Sequence, residues 1–167
     1  MNSGGAIPNT QQVLDPTSGP KDRMKFLLTK FVAENPAVTH AVLVSRDGLK
    51  LLDSDVDPDW ADALAATISG MASLGAAFTG PSNRRVDPNQ ILVERGDCFL
   101  FLQHAGASNV FPTTPGRRDA QTGTILGVIA APNADLAAIG YQMASLIERF
   151  RPYLTVDARA TADDTKR

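Results

Sequence analysis

The 167-residue sequence contains few residues of several types, and each shortage excludes a class of protein. With Cys98 as its single cysteine, the chain cannot form an internal disulfide, a pattern typical of a reducing cytoplasm. A formal net charge of only −2 creates no long-range field that would attract nucleic acid or an anionic membrane. Residues 1–12 lack the basic and apolar segments of a secretory signal. We therefore expect a cytoplasmic protein without a nucleic-acid partner.

The sequence also lacks the residue clusters from which catalytic and metal centres are built. It has no Gly-x4-Gly-Lys-Ser/Thr motif with which to hold nucleotide phosphates. Its two histidines, His40 and His104, have no cysteine, histidine or carboxylate cluster around them at metal-ligand spacing. We predict that the protein is not an enzyme and has no catalytic, cofactor-binding or metal-binding residues.

Apolar periodicity and turn residues predict the element order α-β-β-α-β-β-β-α. The hairpin signals Arg46-Asp47-Gly48 and Arg95-Gly96-Asp97 make the sheet largely antiparallel. The fold class is therefore mixed α and β (α+β), a five-stranded antiparallel sheet with helices covering its faces. The predicted helices are 21–35, 58 to about 79, and 133 to about 152, and the predicted strands are 38–45, 49–54, 90–94, 98–103 and 124–130.

Composition divides the chain into one domain over 21–153 and two polar ends. Residues 1–20 are predicted to be a disordered tail, and residues 154–167 a polar C-terminal tail. Within the domain, 105–123 is expected to be a long loop insertion, because it is rich in Gly, Pro, Thr and Asn. The insertion is either a mobile surface loop or a partner-contact loop, in which case Arg117 and Arg118 are the candidate contacts.

The segment 63–83 contains no charged residue, and its length alone would suit a membrane span. Its small residues outnumber its large ones, which argues against membrane insertion and for a helix with two neighbours. One stripe of this helix is large and is expected to pack against its own domain: Trp60, Leu64, Ile68, Met71, Leu74 and Phe78. The opposite face is small and is expected to meet another backbone: Asp62, Ala65, Ser69, Ala72, Ser73 and Ala76.

These segments together resemble the Roadblock family of small regulatory domains. The resemblance rests on FLLTKFVAENPAVTHAVLVSRDGLKLLDSD, ADALAATISGMASLGAAF, VERGDCFLFL and ILGVIAAPNADLAAIGYQMASLIERF, and covers about 21–153. The sequence is most similar to Roadblock proteins from actinobacterial gene modules that also encode a sensor-kinase-like membrane protein and a Ras-like GTPase. The family usually makes a quick turn where this chain has 105–123.

The resemblance implies that the long helix covers one sheet face and the first and last helices cover the other. It also implies a homodimer in which the long helices and the adjacent edge strands of two copies pair. The interface residues would be Ala65, Ser69, Ala72, Ser73 and Ala76 on the helix and Gln90, Ile91, Leu92, Val93 and Glu94 on the strand. On this assignment, Ala72→Glu converts the dimer into a monomer or an aggregate.

The function implied by the resemblance is a non-enzymatic, homodimeric adaptor that binds and modulates a Ras-like GTPase in a bacterial signalling module. One alternative is a pure scaffold that links a sensor histidine kinase to other proteins without changing GTP turnover. A small-ligand sensor ranks last, because the sequence shows no polar groups that would converge on a pocket.

Overall fold

The computed structural model describes residues 15, 17–111 and 121–156, and these contain three helices and five strands in the predicted order. The helices are α1 (Pro20–Glu34), α2 (Pro58–Ala77) and α3 (Leu136–Leu154). The strands are β1 (Val38–Ser45), β2 (Lys50–Asp53), β3 (Gln90–Glu94), β4 (Phe99–Ser108) and β5 (Thr122–Ala130).

Side-chain caps fix where two of the helices begin. The Asp57 carboxylate accepts a hydrogen bond of 3.0 Å from the Trp60 amide, and Pro58 occupies the first turn of α2. Asp135 caps α3 in the same way, accepting from the Ala138 amide at 3.0 Å. These carboxylates satisfy amide groups that a helix start otherwise leaves without partners. The predicted Asp57-Pro58 start signal is therefore confirmed.

The strands form one antiparallel sheet in the order β2-β1-β5-β4-β3. The β1–β2 turn contains Gly48 at a φ of 87°, a conformation that glycine adopts without steric cost. The sheet edges are β2 and β3, which confirms the edge position expected for Gln90–Glu94. Paired residues of four neighbouring strands form one row across the sheet, which consists of His40, Ile129, Leu100 and Val93.

Helices cover the two sheet faces as the family resemblance implied. Helices α1 and α3 pack on one face and share a core with Phe101, which is fully buried. Helix α2 packs alone on the other face, where Ile68 contacts a cluster that includes Val42 and Leu102. The sheet thus separates two hydrophobic cores, one for each face.

The predicted insertion 105–123 is shorter in the structure than in the sequence analysis. Its first four residues continue β4 and its last two begin β5, with Ser108 paired to Thr122. Glycine and threonine in this segment suggested a loop, but Gly106, Thr122 and Gly123 still join the ladder, with an irregularity beside Gly106 at a φ of 101°. The connection proper is 109–121, and residues 112–120 lie outside the described part of the chain.

The C-terminal end of the domain also lies further along the chain than predicted. Helix α3 passes through Pro152 and ends at Leu154, whose side chain is buried in the core. The Ser108 hydroxyl donates to the Leu154 carbonyl at 2.7 Å, and Asn109 exchanges two hydrogen bonds with the Val156 backbone. Because these side chains bind the backbone at the helix end, residues 154–156 are part of the domain. The rest of the predicted tail, and most of 1–20, lies outside the described residues.

Candidate functional site

The face of α2 that contacts the sheet agrees only in part with the predicted one, since Leu64 and Ile68 are buried as expected but Leu74 and Phe78 are exposed. Ala65 and Ala72, assigned to a partner interface, are 0% and 4% exposed against their own sheet. The reason is close approach: a Cβ placed on Gly127 would lie 2.4 Å from the Ile68 side chain. The helix can lie this close because Gly127 has no side chain where Ile68 packs, and because Ala65 and Ala72, on the same side of the helix, are small. The assignment of Ala65 and Ala72 to a surface available for a partner is therefore wrong.

The remaining small residues of that assignment are only partly available to a partner. Ser69 is half-buried and its hydroxyl donates to the Arg46 carbonyl of the same chain. Ala76 is half-buried, whereas Ser73 is exposed and donates to the Ser69 carbonyl one turn earlier. Their role in an interface stays a prediction.

The outer face of α2 consists of small residues together with large apolar ones. Three large side chains are exposed along it: Trp60 at 40%, Leu74 at 75% and Phe78 at 72%. The sequence analysis placed all three in the core-facing stripe. In the structure only the middle of that stripe faces the sheet, and the residues at its two ends are exposed to solvent. We define the outer face by exposed residues between these side chains, namely Ala63, Ala66, Thr67, Gly70 and Ala77. An apolar surface of this kind is typical of a protein contact.

Edge strand β3 lies beside this surface. It pairs with β4 on one side and has no neighbouring strand on the other within the described residues. Ile91 and Val93 point toward α2 and are half-buried, whereas Leu92 points to the opposite sheet face and is 40% exposed. Gln90 accepts a 2.7 Å hydrogen bond from Gln103 of its own chain. An edge strand with apolar side chains on both faces favours pairing with another strand.

An open groove of about 530 Å³ separates α2 from the β3–β4 end of the sheet. Its floor is formed by Ile129, Leu100 and Val93. Its helix wall consists of Ala63, Leu64, Thr67 and Met71, and its ends are formed by Thr39, His40 and Trp60 on one side and Arg95, Asp97 and Cys98 on the other. The groove depends on the angle at which α2 crosses the sheet, which no local sequence pattern reports.

Polar groups at the ends of the groove are largely paired with each other. The His40 ring stands edge-on to the Trp60 ring, with their centroids 4.8 Å apart. Arg95 donates two hydrogen bonds to the Asp97 carboxylate, at 2.9 and 3.0 Å. The predicted hairpin turn is confirmed by a bond from the Arg95 amide to the Cys98 carbonyl. The Arg95–Asp97 pair thus lies at one end of the groove, and His40 with Trp60 lies at the other.

The Cys98 thiol lies at the groove but is not activated. Burial raises the pKa of the Cys98 thiol, and the neighbouring Asp97 carboxylate raises it further. The thiolate, which is the nucleophilic form, is thus disfavoured at neutral pH. The geometry suits packing or binding at this position rather than covalent chemistry.

The described residues also lack a metal-ligand cluster and a membrane-spanning helix. Within residues 17–111 and 121–156, no group of three or more His, Cys, Asp or Glu side chains could hold a metal ion. In the same part of the chain, each helix is too short or too polar to cross a bilayer. The candidate contact residues Arg117 and Arg118 lie outside the described residues.

Comparison with known proteins gives one family match and several similar structures. Residues 24–109, more than half of the chain, match the family model described as Roadblock/LC7 domain. A crystal structure of a Roadblock/LC7 domain from Streptomyces avermitilis is 37% identical, with a TM-score of 0.65. That match covers 78% of this chain and 96% of the Streptomyces chain. A search of curated proteins found no match.

More distant structures share the fold. The gliding protein MglB from Thermus thermophilus is 17% identical, with a TM-score of 0.64, over 84% of this chain and 98% of its own. A structure of MglB with a tetrameric arrangement is 16% identical, with a TM-score of 0.64, over 84% of this chain and 97% of its own. At these identities the likeness concerns the architecture alone.

Proposed function

This chain belongs to the Roadblock/LC7 domain family, and from that premise we propose that it is a homodimeric adaptor that binds and modulates a small Ras-like GTPase. Roadblock domains are in general regulatory or adaptor domains, and the family includes bacterial partners of such GTPases. The proposed setting is a bacterial signalling module, with a sensor histidine kinase as a further partner.

The observation that carries this proposal is the apolar surface formed by the outer face of α2 and edge strand β3. Leu74 and Phe78 are each more than 70% exposed, although large apolar side chains are usually covered in a lone soluble domain. Strand β3 adds unpaired backbone groups beside them. A surface with these properties supports protein binding better than it supports chemistry.

The first proposed partner is a second molecule of this chain, which would bind by two-fold pairing of β3 with its copy. Antiparallel pairing centred on Leu92, the middle residue of β3, would place the two Leu92 side chains together. The symmetry axis would then be perpendicular to the sheet, so both α2 helices would lie on the same face of a continuous ten-stranded sheet. The paired helices would form a platform that neither protomer presents alone.

Modulation of the GTPase would follow from differential affinity. A platform that binds one conformation of the switch segments more tightly than the other shifts the GTPase toward that conformation. No side chain of this chain needs to contact the nucleotide for that to occur. The direction of the shift depends on which nucleotide state the platform favours.

The direct test is binding of the purified chain to a Ras-like GTPase encoded in the same gene module, loaded with GDP or with a non-hydrolysable GTP analogue. We expect affinities for the two forms to differ by about tenfold or more, since a smaller preference barely moves a two-state equilibrium. Equal, negligible binding to both forms contradicts the proposal.

A matched pair of variants locates the docking surface. Leu74→Asp on α2 and Tyr141→Asp on α3 change side chains of nearly equal exposure, 75% and 77%, on opposite sheet faces. We expect Leu74→Asp to abolish GTPase binding and Tyr141→Asp to leave it within about threefold, because exposed substitutions away from an interface cost little. The reverse result would place the partner on the α1 and α3 face.

A GTP hydrolysis assay, with and without this chain, separates the regulator from the pure scaffold. The regulator changes the hydrolysis or exchange rate of the bound GTPase, whereas the scaffold binds without changing either rate. Capture of a sensor kinase in the presence of an unaffected GTPase would favour the scaffold.

A further inference from the structure

We propose that each groove beside α2 is filled by Phe78 of a second copy of this chain, so that the groove is a self-recognition pocket. This inference rests on the proposed dimer and adds the residue that locks it. It concerns the groove floored by Ile129, Leu100 and Val93, which the protomer leaves open. It also assigns a role to Phe78, which the protomer leaves 72% exposed.

The groove is open because α2 crosses the sheet diagonally. At its start, Trp60 stands against His40 at the beginning of β1. At its end, Gly75 lies against β3, where an added Cβ would be 2.7 Å from Ile91. The helix therefore leaves β1 at one end of the sheet and reaches β3 further toward the other end. The part of the sheet between these crossings, including Leu100, is the uncovered floor of the groove.

Two-fold symmetry places the end of one α2 over the groove of the other protomer. In antiparallel pairing centred on Leu92, Ile91 of one protomer lies opposite Val93 of its partner. Since Gly75 packs against Ile91, the partner's Gly75 would come beside Val93, which is part of the groove floor. The partner's Phe78, three residues further along the chain, would then point at the open side of the groove.

The chemistry of the two surfaces is complementary. The groove offers a phenyl ring the apolar walls of Leu64, Met71 and Leu100 and the indole of Trp60 at its end. Aromatic rings favour such edge or offset contacts. Helix α2 ends at Ala77, and Phe78 is the extended residue that follows it, so its ring can reach past the end of the helix. Burial in the groove would remove from water a phenyl ring that the protomer leaves 72% exposed.

The test uses the single native cysteine, because Cys98 lies at the groove. The variant Phe78→Cys is treated with a bismaleimide that has a two-carbon spacer, and the products are separated under denaturing conditions. At a protein concentration well above the weakened dimer dissociation constant of this variant, and at a mildly alkaline pH that forms the Cys98 thiolate, we expect covalent dimers in most of the protein, since each introduced cysteine would face the partner's Cys98. Within one chain the two positions lie near opposite ends of β3, roughly 15 Å apart at about 3.3 Å per strand residue.

Two controls define the cross-link. Leu49→Cys places an equally reactive thiol at a 50% exposed position of the β1–β2 turn, toward the opposite sheet edge, and should give no dimer. The double variant Phe78→Cys, Cys98→Ser should lose the dimer seen with Phe78→Cys alone. A dimer that persists in the double variant must be linked through the two introduced cysteines. That result would place position 78 of one copy against position 78 of the other and overturn the groove assignment.

Dimer affinity provides the second measurement. Phe78→Ala should raise the dimer dissociation constant at least about 100-fold, because two phenyl rings leave their pockets in each dimer, whereas Leu49→Ala should change it less than about threefold. A dimer that forms normally, shows no Phe78–Cys98 cross-link and keeps its affinity in Phe78→Ala overturns this inference but not the proposed dimer. A chain that is monomeric by mass at all concentrations overturns both.

Discussion

The two faces of the sheet differ in how completely one protomer covers them. Helices α1 and α3 pack side by side on one face and, together with their loops, close a core that includes Met24, Phe101 and Phe150, all fully buried. Helix α2 is alone on the other face, where the groove stays open and Leu74 and Phe78 remain in solvent. A five-stranded sheet is wider than one helix can cover, since a helix is about 10 Å across and neighbouring strands are about 4.8 Å apart.

Under the proposed function, the closed face provides stability and the open face provides recognition. The closed face holds the larger core, so substitutions there should act on folding. The open face has an inner side that contributes to folding and an outer side that is free for partners. Matched substitutions on the two sides of α2 and on the two sheet faces test whether folding and partner binding depend on different surfaces.

The largest effect is expected from a pair of glutamate substitutions on α2. Ala72→Glu places a charge at a position that is 4% exposed and should cost more than about 4 kcal/mol, because a buried carboxylate without a partner is strongly destabilising. We therefore expect this variant to unfold, whereas the sequence analysis predicted that the dimer would become a monomer or an aggregate through loss of an interface. Circular dichroism and thermal melting measure the loss.

Gly70→Glu is the matched variant on the outer side, where a Cβ would meet nothing within 4 Å. It should fold with unchanged or slightly higher protomer stability, because glycine is the poorer helix former, and it should lower the mass in solution from dimer to monomer. A folded Ala72→Glu together with an unfolded Gly70→Glu would reverse our assignment of the two helix sides.

A smaller but still large effect is expected from truncating the closed core. Phe101→Ala removes a fully buried ring and should lower the free energy of unfolding by about 3–5 kcal/mol. Leu74→Ala, at 75% exposure, should lower it by less than about 0.5 kcal/mol. Urea denaturation at concentrations below the dimer dissociation constant measures the protomer alone. Similar losses for both variants would show that the faces do not differ.

The smallest effect concerns Asp53, which links elements of both faces at the β2 edge. Its carboxylate lies 3.0 Å from the Lys50 ammonium and 3.6 Å from that of Lys25 on α1, and it accepts from the Val56 amide just before α2. Partial burial acts to raise the pKa of Asp53, but the Lys50 hydrogen bond, the Val56 amide and the two lysine charges outweigh burial and lower it. The charged form is therefore the one that the fold favours.

Because the folded pKa of Asp53 lies below the unfolded value of about 3.9, its stabilising contribution is fully present above that value and disappears as the pH falls through the folded pKa. Asp53→Asn should cost about 1 kcal/mol at pH 7, and the difference from the wild type should vanish under acid conditions. Asp62→Asn, at an exposed position of α2, is the control and should change stability by less than about 0.5 kcal/mol. A cost for Asp53→Asn that does not depend on pH would contradict the role of its charge.

The predicted elements agree with the structure where local chemistry decides them. Strands β1 and β3 have the predicted bounds, and Asp57 with Pro58 marked the start of α2. The ends of β4 and α3 were missed, because Ser108 pairs with Thr122, 14 positions away (122 − 108), and its hydroxyl donates to the Leu154 carbonyl, 46 positions away. Contacts of that range leave no trace in a local window of sequence.

The candidate surface was predicted only in part. From the lack of charge in 63–83 the sequence analysis predicted a helix with two neighbours. It assigned Ala65 and Ala72 to the partner-facing side of that helix, whereas both are buried against the sheet. Periodicity shows that a helix has two sides, and it assumes that large residues are the buried ones. Close packing of Ile68 on Gly127 limits that assumption, because it brings the helix so near the sheet that the small residues Ala65 and Ala72 are buried as well.

The sequence by itself determined the element order, the antiparallel hairpins, the capped start of α2 and the family, since each depends on neighbouring residues or on a whole-length pattern. Only the tertiary structure decided which side of α2 meets the sheet and that a groove remains beside this helix. Those features depend on one angle, the crossing of α2 over the sheet, and that angle is set by the fit of side chains from four different strands.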